Sequence, residues 1–87
     1  MTNLNSLRDL CQFAADDLGA HDILICKGDN WYIWTSRDTL IPADGKDDRE
    51  EYHESDDRDK GFDLTDAFGK PTGIEKGWKT VYIWVEG

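Results

Sequence analysis

The sequence predicts an α+β fold: an N-terminal helix packed on a small antiparallel sheet of three to four strands, made from a hairpin at 22–36 and a C-terminal strand at 78–86. Three observations predict it. Leu4, Leu7, Leu10/Cys11, Ala14 and Leu18 recur at spacings of three and four, which marks one face of an amphipathic helix. Two runs rich in β-branched and aromatic residues, Ile23–Cys26 and Trp31–Thr35, flank a Lys27-Gly28-Asp29-Asn30 turn signal. Val81, Ile83 and Val85 alternate with Thr80, Tyr82, Trp84 and Glu86, the period of a strand. At 87 residues the chain is a single domain, 1–87. A chain this short buries roughly 60% of its unfolded surface, so its core is thin.

Each element has its local signals. Asn3, Asn5 or Ser6 can cap the helix, and Asp9 stands three residues after Ser6. Gly19 follows the last apolar residue and suits a left-handed C-cap. Asp16 and Asp17 sit in the last turn, where the helix dipole disfavours acids by less than about 1 kcal/mol. Neither hairpin strand alternates cleanly, so both faces are expected to be covered, or one to carry exposed aromatics. Residues 37–42 extend through Leu40 and Ile41 to a turn signal at Pro42-Ala43-Asp44-Gly45. An acidic loop or short helix follows at 44–60. Leu64, Ala67 and Phe68 allow one or two helical turns between Asp63 and Gly69, and Lys70-Pro71-Thr72-Gly73 fits a type I turn. In the last strand the Val81/Ile83/Val85 face belongs on the helix. The Tyr82/Trp84 side then has to be covered by residues 37–70, by a second copy or by a partner.

Charge bounds the function. Nineteen acids against ten bases give a net charge of −9. Such a field opposes direct binding to nucleic acid or to an anionic membrane and favours basic partners or cations. Two cysteines, Cys11 in the helical pattern and Cys26 in an apolar run, read as small core residues rather than a disulfide framework. The polar opening carries no signal-peptide pattern and no run reaches transmembrane length, so a cytoplasmic location is expected, in a bacterium or an infected host. No nucleophile elbow, phosphate-cradling glycine loop or Cys/His pair of known spacing is present, and the expectation is a protein without enzymatic activity. His21, Cys26, Cys11 and His53 lack zinc-site spacing, and Asp57-Arg58-Asp59-Lys60-Gly61 brings its glycine one place too early for a calcium loop. No metal or cofactor is expected.

What remains is the run from Asp44 to Lys60, with nine carboxylates, four basic residues and His53 in 17 residues. As a helix it would carry one carboxylate per roughly 3 Å of axis, and as a strand one per roughly 6 Å. Duplex DNA carries one charge per about 1.7 Å. The run alone therefore cannot match a duplex, and other acids must join it. The candidate partner-binding surface combines Asp44, Asp47, Asp48, Glu50, Glu51, Glu54, Asp56, Asp57 and Asp59 with Asp29, Asp63 and Asp66 and the aromatics Trp34, Tyr82 and Trp84.

In size, acidity, carboxylate run and aromatic strands the chain resembles the phage-encoded inhibitors of host nucleic-acid enzymes: anti-CRISPR proteins, anti-restriction proteins and uracil-DNA glycosylase inhibitors. The opening Met1-Thr2-Asn3-Leu4 is similar to the start of a phage glycosylase inhibitor. The resemblance implies occlusion of a basic DNA- or RNA-binding groove by carboxylates placed like phosphates, and it carries over no individual residue. The leading expectation is thus an inhibitor with a basic protein partner. The alternatives are an immunity or antitoxin protein for a basic nuclease toxin, and a structural homodimer joined through the Tyr82/Trp84 face.

Overall fold

The computed structural model describes residues 6–35, 38–44, 53–54, 61–64 and 68–86. Among the described residues one helix, α1 (Leu7–Asp16), precedes seven strands: β1 (Asp22–Lys27), β2 (Asn30–Thr35), β3 (Thr39–Asp44), β4 (His53–Glu54), β5 (Phe62–Asp63), β6 (Pro71–Lys76) and β7 (Thr80–Val85). They form one mixed sheet in the order β4-β3-β2-β1-β7-β6, with β5 also paired to β3. This corrects the expected fold of a helix on three to four antiparallel strands. The protein is mostly β, and β7 runs parallel to β1 from Asp22↔Thr80 to Lys27↔Val85. A parallel neighbour needs a long crossover, and the chain between Lys27 and Thr80 supplies it. The near-continuous apolar runs of β1 and β7 suit strands buried on both faces.

Ser6 is the cap that α1 uses; its hydroxyl accepts from the Asp9 N–H at 3.1 Å. Leu7, Leu10, Cys11 and Ala14 are buried against Ile23, Ile25, Leu40, Val81, Ile83 and Val85. Fully burying a residue such as Leu10 contributes roughly 1.5–3 kcal/mol. Gly19 adopts φ 64°, and the Ala20 N–H returns to the Ala14 carbonyl at 3.1 Å. In the hairpin Lys27 pairs with Asn30, so the loop is Gly28-Asp29 alone, and a positive φ at Gly28 but not at Asp29 is the type II′ pattern.

Three other expectations change. Residues 39–44 are a full strand through Pro42, not a strand ending in a turn. On its outer side β3 pairs β5 at Thr39 and Leu40 and β4 at Ala43 and Asp44, so Pro42 falls in the gap, where its missing N–H costs no ladder bond. Asp63, expected to start a helical turn, closes the strand at 62–63 instead, and positions 65–67 of that expected turn lie outside the described residues. Lys70–Gly73 is not an isolated turn, because Pro71 opens β6, and an irregularity between Pro71 and Gly73 puts Thr72 in a bulge. Of the acidic run, Asp44 closes β3 and His53–Glu54 form β4; its other positions, and Asp66, lie outside the described residues.

Both ends of the sheet resist further pairing. On one side stand two-residue strands; on the other β6 carries a proline, a bulge and Lys76. Short, bulged, proline- and lysine-bearing edges are poor templates for another strand.

Asp38 joins the β2–β3 turn to the rest. Its φ of 59° makes it the only non-glycine residue with positive φ among those described. Its N–H donates to the Thr35 carbonyl, its own carbonyl accepts from Leu64, and its carboxylate meets Arg8 at 2.8 Å. Arg8 is half in solvent, so the ion pair contributes at most about 1 kcal/mol. The backbone conformation matters more. Asp38→Val should lower unfolding free energy by roughly 1–3 kcal/mol, and Asp38→Asn, which tolerates this conformation, by no more than about 1 kcal/mol. Urea denaturation of the two variants checks the ranking.

Candidate functional site: an aromatic sheet face with an acidic rim

Strand register sorts the side chains. Ile23, Ile25, Tyr32, Trp34, Leu40, Val81 and Ile83 share the face that α1 covers. Leu24, Trp31, Ile33, Ile41, Ala43, Tyr82 and Trp84 share the other. On the helix side the sheet is also covered by Phe62, Leu64 and Phe68. Tyr32, Phe62 and Phe68 pack with centroids 5.0–5.7 Å apart, and the Lys27 ammonium sits 4.6 Å from the Phe68 ring while donating to the Phe68 carbonyl.

The opposite face has its own small core. Leu24, Ala43 and Tyr82 are buried there, with Trp31, Ile33 and Trp84 partly buried around them. All six are strand residues. Among the described residues no helix lies over this face. Trp31 meets Tyr82 edge-on at 6.1 Å and Trp84 at 6.5 Å, and Tyr82 and Trp84 are 6.4 Å apart. Edge-to-face pairs at these distances each add about 0.5–1.5 kcal/mol and hold the rings in fixed orientations. Leu24, 1% exposed, is the floor beneath them. Carboxylates mark the rim by the same register: Glu54 opposite Ala43, Asp63 opposite Thr39, Glu75 opposite Tyr82, and Asp22 at the start of β1. Gly73, opposite Trp84, adds no side chain to the patch.

The residues expected at a partner surface are therefore divided. Tyr82, Trp84, Glu54 and Asp63 come together on the open face. Asp29 is in the exposed β1–β2 turn, and Asp44 is exposed at the end of β3, with its side chain on the helix side. Trp34 lies on the helix face, where its Nε1 is buried without a hydrogen-bond partner. Asp47, Asp48, Glu50, Glu51, Asp56, Asp57, Asp59 and Asp66 are outside the described residues. Sequence reasoning missed Trp31 and Glu75. A two-residue hairpin loop would have placed Trp31 on the face of Leu24. Nothing local in the sequence announces the β6–β7 pairing that brings Glu75 beside Tyr82.

Comparison with protein-family models, with curated proteins and with solved structures finds no match for this chain. Among the described residues no helix is long and apolar enough to cross a membrane.

The two cysteines belong to opposite sides. Cys11, on the helix, is 0% exposed; Cys26, by its register, faces away and donates to the Gly28 carbonyl at 3.3 Å. Burial, with a smaller push from the Asp38 carboxylate, raises the Cys11 thiol to about 12 from 9.0. A thiol raised this way stabilises the fold below the unfolded value, and the contribution is lost as pH rises from about 9 towards 12. Native protein at pH 8 should thus show Cys11 inert to a disulfide reagent until it unfolds, with any early reaction removed by Cys26→Ser. Alkaline denaturation of Cys11→Ala should lack the thiol component of the decline.

Proposed function

We propose that this chain is a non-enzymatic acidic binding protein that docks its open aromatic face on a basic protein surface and inhibits a nucleic-acid-binding host enzyme by occupying its basic groove. The observation that carries this is the Trp31/Tyr82/Trp84 cluster on a sheet face rimmed by Asp22, Glu54, Asp63 and Glu75. Rigid aromatics over a packed floor are the residue type that dominates binding energy, and exposed rim charges contribute little each. The rim and the net charge of −9 act earlier, by steering a cationic surface towards the face and excluding anionic ones. A groove lined with lysine and arginine for phosphate supplies the complementary field.

Charge also ranks the alternatives. A two-fold homodimer through this face would bring two acidic rims and two chains of −9 together. A basic nuclease toxin, by contrast, fits the same surface, and an immunity role differs from an inhibitor only in which gene lies alongside.

Affinity capture from host lysate, followed by titration of the captured protein, tests the proposal. Trp84→Ala should weaken binding by about tenfold or more. Glu54→Lys with Glu75→Lys should slow association and flatten its dependence on salt. Capture that survives all three substitutions unchanged removes the face, and a partner that still binds its nucleic acid in the complex removes groove occupancy. A dimer at low micromolar concentration in sedimentation, dispersed by Trp84→Ala, would replace the proposal with the homodimer.

A further inference from the structure

A second site lies at the end of the sheet where β1 begins and β6 turns into β7. A cavity of ≈140 Å³ there is walled by the α1–β1 connection and the β6–β7 turn, and its lining includes the ammonium-bearing Lys76 and Lys79 and the imidazole-bearing His21. Among the described residues no carboxylate lines it. Of the acids next to the lining in sequence, Asp22 and Glu75 belong by register to the opposite face and Asp17 is the C-cap of α1, whereas Lys76 pairs with Val81 on the cavity side. This arrangement is unusual in a chain of nineteen acids and ten bases. Elsewhere Arg8 is paired with Asp38, and Lys27 is held by the Phe68 carbonyl and ring.

The walls are fixed. The His21 N–H donates to the Lys79 carbonyl at 3.0 Å, and the Gly77 N–H to the Thr80 carbonyl at 2.7 Å. On the rim stands Trp78, 79% exposed, the most exposed large apolar side chain among the described residues. The Lys79 ammonium lies 4.8 Å from its ring centroid, which holds the cation at the cavity mouth. The exposed indole offers a flat π surface beside the cavity on which a base can stack.

We propose that this cavity binds a phosphate-class anion through Lys76, Lys79 and His21, either free phosphate or the phosphate of a nucleotide whose base lies on Trp78. Ammonium and imidazole N–H groups donate to phosphate oxygens in charge-assisted hydrogen bonds. The global negative charge acts weakly against this, because at physiological salt it is screened beyond about 8 Å. The site is independent of the aromatic face. Its competing explanation is that the cations merely offset the C-terminal dipole of α1, which ends at Asp16, two residues before Leu18 and Gly19 on the cavity wall.

Amide NMR titration of the whole protein with inorganic phosphate, AMP and adenosine separates these. Phosphate and AMP should shift residues 19–21 and 76–80, and adenosine should not. Lys76→Gln with Lys79→Gln should weaken both by about tenfold or more, equivalent to at least about 1.4 kcal/mol. Tighter binding of AMP than of phosphate, lost in Trp78→Ala, assigns a nucleotide; equal binding assigns free phosphate. Both lysines and Trp78 are exposed, so these variants keep the fold, and urea denaturation verifies it. Absence of shifts at millimolar phosphate and AMP, or shifts unchanged in the double lysine variant, overturns the site. Loss of stability in that variant with no effect on any titration assigns the cations to the helix end instead.

Discussion

Everything in this fold hangs on the parallel ladder between β1 and β7. Six consecutive register pairs join them, and both strands are buried on both faces. On one side the ladder supplies Ile23, Ile25, Val81 and Ile83 to the helix core. On the other it supplies Leu24 and Tyr82, on which the tryptophans rest. The helix core and the aromatic surface therefore cannot be perturbed separately through these strands. The ladder also joins an early strand to the last one, so its loop-closure entropy is met only when the C-terminal residues arrive.

The two faces divide the chemistry of a thin core. The helix face spends its apolar residues on stability: four buried helical side chains and the Tyr32/Phe62/Phe68 group close it over. The open face keeps large rings half in water. Their mutual edge contacts and the leucine below give them a fixed shape, and a surface fixed in advance loses less entropy in any docking. Aromatic rings with acids around them suit a cationic surface better than a second apolar one.

Local signals in the sequence were legible where the interactions are local. Ser6, Gly19 and Gly28-Asp29 state a helix start, a helix end and a hairpin loop, and each performs that role. Pairings between distant segments were not legible. The sequence pattern of β7 tells that it is a strand with Val81 and Ile83 on one side, but not that it lies parallel beside β1. Pro42 and Pro71 read as turn residues because proline breaks ladders; both are strand residues here, one in a gap between short edge strands and one at the head of a bulged edge. For the site, Tyr82 and Trp84 were found by alternation alone, whereas placing Trp31 with them and Trp34 behind the sheet needed the register. The cationic cavity was invisible, because His21 and Lys79 are far apart in sequence and meet only through a hydrogen bond across the β1/β7 end.

The blunted edges have a consequence for stoichiometry. A strand that accepts another strand can be extended without limit, one chain after the next. Here Pro71, the bulge at Thr72 and the two-residue strands at the far side close growth in the plane of the sheet. Edge-to-edge addition of further copies through the described strands is therefore disfavoured, and stays so at the high concentrations that overproduction would bring.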